Sequence, residues 1–144
     1  MGTNRFPVER SPDEWRRELT SEQYRVLREH GTEPAGTSVL NHEHRPGLFR
    51  CSGCGAPLFA TSTKFESGTG WPSFYEPIEG AVGTSQDDSY AMRRTEVHCA
   101  RCGGHLGHLF PDGPAPTGLR YCMNGTALAY EPAADPSVSD RRAR

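Results

Sequence analysis

The sequence predicts a small, mainly β domain of antiparallel strands that is preceded by two short helices. The 16 glycines and 12 prolines among the 144 residues favour short strands and tight turns over long helices. Short apolar runs recur between these turn signals along much of the chain. Four of the five cysteines form two Cys-x-x-Cys pairs, and a metal ion held by them would stabilise a loop-rich domain of this size.

Two helix starts lie near the N-terminus. Ser11 and Thr20 can each cap a helix, and each is followed three residues later by the Glu or Gln of a capping box. Gly31 supplies a stop signal for the second helix. We therefore expect two short helices over about residues 12–30, which form a lid or a brace because they carry too few apolar groups for a separate core.

The strands are predicted from short apolar segments that turn residues separate. Residues 11–132 are expected to form one domain, and the polar segment 133–144 is expected to be a disordered tail. The Gly- and Pro-punctuated segment 33–46 and the His-rich run 104–113 are interpreted as loops. The predicted strands cover residues 47–51, 57–60, 81–84, 89–94, 95–99, 118–123 and 127–131.

The paired cysteines, Cys51 with Cys54 and Cys99 with Cys102, have the spacing of a metal site. A glycine follows each pair and allows the positive-φ turn in which backbone amides point at sulfur. All-sulfur ligation favours zinc or an iron centre, and zinc is the better candidate because the sequence shows no redox partner motif for iron. Four thiolates close the coordination sphere, so one structural zinc ion per chain would not touch substrate. A redox dithiol or a pair of buried cysteines is the alternative.

The fifth cysteine, Cys122, stands apart and is the candidate nucleophile. A thiol reacts as the thiolate, and the neighbouring Arg120 would lower its pKa. On a strand, Arg120, Cys122 and Asn124 lie on one face because side chains alternate with a period of two. The alternative is that Cys122 is a small buried apolar residue.

Further candidate residues surround this cysteine in the sequence. His105 and His108 could face the same pocket and act as proton donors or polarising groups. Asp112 could pair with the arginine at position 120 or fix a histidine tautomer. Trp71 lies in a Gly- and Pro-shaped loop and offers a flat apolar wall. Polar surface for the histidines and ordinary core packing for the tryptophan are the alternatives.

These motifs together resemble the B-type methionine sulfoxide reductases, which act on the R epimer. The resemblance covers roughly residues 11–132 and implies a β-tent fold of antiparallel sheets, with short N-terminal helices and a structural zinc ion remote from the catalytic centre. The motifs that carry it are Glu22-Gln23-Tyr24-Arg25-Val26-Leu27, Gly31-Thr32-Glu33-Pro34, both cysteine pairs, the segments 64–74 and 104–113, and Leu119-Arg120-Tyr121-Cys122-Met123-Asn124.

The resemblance also implies a role for each candidate residue. Cys122 would attack the sulfoxide sulfur and become a sulfenic acid. The enzyme would repair oxidative damage to methionine, both in proteins and as the free amino acid. Asp112 and Arg120 would tune the cysteine and the pocket, and Trp71 would cradle the ε-methyl group. Three side chains would orient the substrate and help to protonate its departing oxygen, namely His105, His108 and Asn124.

One position departs from the family pattern. Many relatives carry a cysteine in the Gly-x-Gly-Trp-Pro loop that closes a disulfide with the nucleophile, whereas this chain has Thr69 there. Since the other four cysteines are assigned to metal, a resolving disulfide within the chain is not expected. Thioredoxin or a small thiol would then reduce the sulfenic acid directly.

Charge and composition restrict the other partners and the compartment. A net charge of −2 gives no reason to expect nucleic acid or an anionic membrane as partner. Residues 1–10 lack the apolar core of a secretory signal, so we expect a cytoplasmic monomer in which the lone cysteine stays reduced. The competing functions are a non-catalytic module that grips a small ligand or peptide beside Trp71, and a zinc-ribbon interaction or nucleic-acid module.

Overall fold

The computed structural model describes residues 6–88 and 93–133 and confirms the mainly β prediction. Two short helices precede nine antiparallel strands in the described part of the chain. Among these residues, no helix is long and apolar enough to cross a bilayer. The helices are α1 Pro12–Glu18 and α2 Ser21–Glu29; the strands are β1 Gly47–Cys51, β2 Pro57–Ala60, β3 Lys64–Phe65, β4 Ser73–Phe74, β5 Val82–Asp87, β6 Arg94–Cys99, β7 His105–Phe110, β8 Arg120–Met123 and β9 Leu128–Pro132.

The strands form two sheets that share one core. The smaller sheet has the order β2-β1-β9, and the larger has the order β3-β4-β8-β7-β6-β5. Phe59 of the small sheet stacks on Phe74 of the large sheet with ring centroids 4.3 Å apart, and Phe49 meets Phe74 edge-on at 5.1 Å. All three rings are fully buried, so aromatic packing holds the two sheets together.

Both helices begin where the capping boxes predict. Ser11 accepts a hydrogen bond from the Glu14 amide, and Thr20 accepts one from the Gln23 amide, with both reciprocal bonds present. The helix α2 ends at Glu29, one residue before the predicted end at residue 30, because His30 adopts the left-handed conformation with φ 58°.

The helices pack against the sheets and act as a brace. The buried side chains of α1 and α2 are Trp15, Val26 and Leu27, and all three belong to the main core cluster. Arg28 also donates a hydrogen bond of 3.0 Å to the Cys102 carbonyl, which ties α2 to the second cysteine pair. The N-terminal helices are therefore part of the same folding unit as the sheets.

The prediction of a loop over residues 104–113 was wrong, because His105–Phe110 form a strand inside the large sheet. The glycine at position 107 is unfavourable in strands and therefore indicated a loop. In the structure it is required, because a Cβ there would collide with the Cys122 carbonyl of the neighbouring strand. Glycine in a strand often marks such a close backbone approach.

The remaining strand predictions hold to within a few residues, except where the chain is not described. The predicted strand at residues 89–94 lies largely outside the described residues, as does the predicted tail after residue 133. Two short strands that the sequence did not reveal, β3 and β4, flank the loop that carries Trp71.

Candidate active site

A row of polar side chains crosses the large sheet in register. Cys122 on β8 lies directly opposite Ser73 on β4 and His108 on β7. His108 in turn pairs with Glu96 on β6, and Glu96 pairs with Ser85 on β5. Cross-strand partners share a face and have Cβ atoms about 5 Å apart, so the sheet itself brings a thiol, an imidazole and a carboxylate together.

A small pocket of about 100 Å³ opens around the lone cysteine. Of the predicted site residues, Cys122, Asn124, His108 and Trp71 line this pocket, whereas none of the four paired cysteines does. Its full lining in the described part of the chain is Thr32, Trp71, Arg94, Gly107, His108, Phe110, Cys122, Met123 and Asn124.

Burial raises the pKa of the Cys122 thiol above its usual value. This effect outweighs the lowering of the pKa by hydrogen bonds with Thr69, Arg120 and Ser73 and by the charge of Arg120. The Thr69 Oγ1 atom lies 3.9 Å from Sγ. Burial therefore opposes formation of the thiolate that the charge of Arg120 is expected to favour.

Arg120 is fixed by an ion pair, which decides between the two roles considered for Asp112. Its Nε and Nη2 atoms donate to the two oxygens of Asp112 at 2.9 and 3.2 Å. The guanidinium also stacks over the Phe110 ring, 4.4 Å from its centroid. The carboxylates that contact the two histidines are instead Glu96 and Asp87, which the sequence analysis did not identify.

His108 lies opposite Cys122 in the sheet and lines the same pocket. Burial lowers the pKa of His108 below its usual value, and this outweighs the raising by a hydrogen bond to Asp87. Its Nε2 atom lies 2.7 Å from Asp87 Oδ2, and Arg94 contacts the same oxygen at 3.4 Å. A neutral imidazole opposite a thiol is placed to accept the thiol proton.

His105 lies behind His108 rather than in the lining of the Cys122 pocket. A bulge in β7 brings the two histidines to one face, because Val97 pairs with Gly107 while His98 pairs with His105. The rings of His105 and His108 meet edge-on with centroids 5.4 Å apart. Both histidines line an adjoining cavity of about 430 Å³ that shares Thr32 and Arg94 with the Cys122 pocket.

Glu33 holds two of the predicted substrate-contacting residues and was missed at the sequence level. Its backbone amide donates to Asn124 Oδ1 at 2.9 Å, and its carbonyl accepts from Trp71 Nε1 at 3.0 Å. Its buried carboxylate accepts hydrogen bonds of 2.8 Å from the amides of Gly125 and Thr126. The only sequence signal for Glu33 was its place in the Gly-Thr-Glu-Pro motif. Through these hydrogen bonds, this single residue orients both Asn124 and Trp71 in the wall of the pocket.

The paired cysteines converge as their spacing predicts. Cys51 Sγ lies 3.7 Å from Cys102 Sγ, and Cys54 Sγ lies 3.6 Å from Cys99 Sγ. Four sulfurs at about 2.3 Å from a tetrahedral zinc ion would be about 3.8 Å apart, so the arrangement fits that ion. The amide of Gly53 points at Cys51 Sγ at 3.3 Å, as expected for a thiolate ligand. These four residues form a possible metal-binding site.

A second group of metal-capable atoms lies beside the pocket. The ligand atoms of His30, Glu96 and His105 are within 4.8 Å of one another. Hydrogen bonding accounts for this closeness, since Glu96 Oε2 is 2.9 Å from His105 Nδ1. The His30 imidazole is largely exposed and lies 3.5 Å from the same oxygen.

Comparison with known proteins identifies the family of this chain. The family model described as the SelR domain matches residues 19–132. The chain belongs to the SelR family. Its relatives include the protein named peptide methionine sulfoxide reductase MsrB from Agrobacterium fabrum, which is 54% identical over 126 residues, or 87% of this chain and 93% of the relative. The protein of the same name from Thiobacillus denitrificans is 57% identical over 120 residues, or 83% of this chain and 91% of the relative.

Membership of the SelR family confirms the resemblance to B-type methionine sulfoxide reductases that the sequence motifs carry. Among solved structures, the Mis18 "Yippee-like" domain matches with a TM-score of 0.52 and 16% identity, covering 63% of this chain and all of that domain. At this identity the likeness shows a shared fold alone.

Proposed function

We propose that this SelR-family chain reduces methionine-R-sulfoxide, in proteins and also as the free amino acid, back to methionine. The observation that carries the proposal is the register of Cys122 opposite His108 in a pocket walled by Trp71. The names of the relatives, peptide methionine sulfoxide reductase, support the same reaction.

The reaction moves one oxygen atom from the substrate sulfur to the enzyme. Cys122 Sγ attacks the sulfoxide sulfur while the sulfoxide oxygen takes up a proton. The S–O bond of the substrate and the new bond between the two sulfur atoms then break as the hydroxyl group moves to Cys122 Sγ, which leaves methionine and a sulfenic acid on Cys122. The thiol and sulfoxide are thus converted into a sulfenic acid and a thioether, and no net proton is consumed.

The pocket residues have separate roles in this step. Neutral His108 accepts the thiol proton and can pass it to the departing oxygen, which removes the need for a permanently ionised cysteine. Asn124 Nδ2 donates one hydrogen to the Leu106 carbonyl at 3.0 Å and retains a second N–H for the substrate oxygen. Trp71 supplies the apolar wall for the methyl group.

We assign one structural zinc ion to Cys51, Cys54, Cys99 and Cys102. The support is the two Sγ–Sγ distances of 3.7 and 3.6 Å, which are close to the value for a tetrahedral site, and the burial of three of the four residues. Bound there, zinc would cross-link the end of β1 to the end of β6 beneath the N-terminal helices. The remaining cysteine is left for chemistry.

The substrate epimers provide the test of this function. With dithiothreitol as reductant, the R epimer of a blocked methionine sulfoxide should be reduced at least about 100-fold faster than the S epimer, because exchanging the methyl group and the oxygen places each against the wrong wall. Chromatography of the product from each separated epimer measures the ratio. Equal rates for the two epimers, or no reduction of either, would contradict the proposal.

Regeneration is proposed to need an external thiol, supplied by thioredoxin or a small thiol in a cytoplasmic monomer. This chain has Thr69 at the position of the family's resolving cysteine. The Thr69 hydroxyl lies close to Cys122 Sγ but cannot form a disulfide. Zinc ligation would withhold the other four thiols.

One turnover without reductant should therefore leave Cys122 carrying one added oxygen atom. Intact-mass and peptide spectrometry after trapping with dimedone would detect it. The variant Thr69→Cys should instead form a disulfide with Cys122, since the native hydroxyl is already within 3.9 Å of Sγ, and Thr69→Ser should behave like the native chain. An intramolecular disulfide at Cys122 in the native chain would refute the one-cysteine cycle.

A further inference from the structure

A buried carboxylate near the pocket lies close to several side chains that can donate hydrogen bonds to it. Glu96 on β6 has a side chain only 9% exposed, and it pairs across the sheet with His108. Its Oε2 atom is 2.9 Å from His105 Nδ1 and 3.5 Å from His30 Nε2. Its Oε1 atom accepts from Ser85 Oγ at 2.7 Å and lies 3.3 Å from a nitrogen of a third imidazole, that of His98.

These contacts keep the carboxylate ionised. Burial by itself raises the pKa of Glu96, but the hydrogen bonds with His105, His98 and Ser85 bring it below its usual value. An ionised carboxylate can only accept hydrogen bonds. The Nδ1 atom of His105 must therefore carry the proton that the contact at 2.9 Å shares.

The opposite nitrogen of the same ring is left over. His105 Nε2 is buried and has no hydrogen-bond partner among the described residues. A buried acceptor without a partner costs free energy, which a water molecule that donates to it can offset. Nothing else in the described chain uses this nitrogen, although it belongs to a histidine that lines the cavity joined to the Cys122 pocket.

We propose that Glu96 is a positioning residue for the reduction: it holds the His105 proton on Nδ1 and so fixes the ring that packs edge-on against His108. This inference rests on the proposed function. It adds to that function a carboxylate–histidine pair that acts beside the His108–Asp87 pair. Glu96 itself touches neither the pocket nor the reacting sulfur.

The decisive variant is Glu96→Gln, which keeps the side-chain shape and removes the charge. We expect its kcat for the R epimer to fall about 10- to 100-fold, with KM within about twofold, because substrate contacts are unchanged. Glu66→Gln is the matched control, since Glu66 also lies between two imidazoles, 3.0 Å from His42 and 2.7 Å from His44, but outside the Cys122 pocket. Its kcat should stay within about twofold of the native value.

A second readout does not depend on turnover. The ¹⁵N spectrum of the imidazoles, assigned with His105→Gln, should show the His105 proton on Nδ1 in the zinc-loaded native protein and a mixture of tautomers in Glu96→Gln. A native tautomer with the proton on Nε2 would overturn the proposal even if Glu96→Gln fails to fold. Native kcat in a folded Glu96→Gln variant would overturn it too, as would a second zinc equivalent that the native protein binds and this variant loses. Failure of the native chain to reduce either epimer would contradict the proposed function and leave the tautomer result to decide the role of Glu96.

Discussion

Replacing Cys122 with serine is expected to abolish the reduction of methionine-R-sulfoxide, with kcat/KM at least about 1000-fold below the native value. The loss is chemical rather than steric, because the reaction deposits the substrate oxygen on sulfur and a hydroxyl oxygen cannot form the corresponding sulfenic acid. The measurement is the initial rate with the R epimer and dithiothreitol, at enzyme concentrations high enough to detect the residual activity.

The same variant should leave the fold intact. Serine is close in size to cysteine, and the position pairs through its backbone with His108 and Ser73, which the substitution does not alter. Zinc content and the midpoint of denaturant unfolding should therefore match those of the native chain. Undiminished activity in Cys122→Ser would end the assignment of this sulfur as the nucleophile. A loss of zinc from this variant would place the lone cysteine at the metal instead.

The local features of this fold could be predicted because each depends on neighbouring residues. The capping boxes at Ser11 and Thr20 each involve residues only three positions apart, and both are present in the structure. The spacing and trailing glycine of the Cys51 pair likewise set the geometry of its own turn, in which Gly55 has φ 82°. Features of this kind require no knowledge of the rest of the chain.

The strand β7 could not be predicted, since its identity depends on its neighbours in the sheet. Gly107 lowers the strand propensity of the segment, but it is required where the Cys122 carbonyl approaches. The bulge that brings His105 and His108 to one face is also a property of the pairing with β6, and an unbroken alternation would have separated them.

The residues that organise the site were missed for the same reason. Glu33, Asp87 and Glu96 lie far in sequence from Cys122, and only Glu33 belongs to one of the sequence motifs, which gives no indication of its role. Their roles follow from hydrogen bonds to Asn124, His108 and His105 that only the folded chain forms. The sequence thus predicted most of the groups proposed to touch the substrate, whereas the groups that hold them became visible through tertiary contacts.

Removal of the metal is expected to unfold the domain. Residues 55–98 lie between the two cysteine pairs, so one ion would close a long loop and join β1 to β6. A structural zinc site contributes on the order of 10 kcal/mol of apparent free energy, and the total stability of a domain is about 5–15 kcal/mol. Without zinc, the four clustered thiols would also have to share a buried space with Trp15 and Leu27 of the helices.

We expect Cys51→Ser to lose zinc and to show no cooperative unfolding transition at 25 °C, whereas Cys122→Ser, the matched control, keeps both. Zinc analysis and denaturant titration followed by far-UV circular dichroism measure the two properties. The native protein dialysed against a strong chelator should behave like Cys51→Ser and recover on addition of zinc. A chelated protein with an unchanged unfolding midpoint would show that the cysteine cluster needs no ion, because the burial of Phe49, Phe59 and Phe74 would then be sufficient to hold the sheets together.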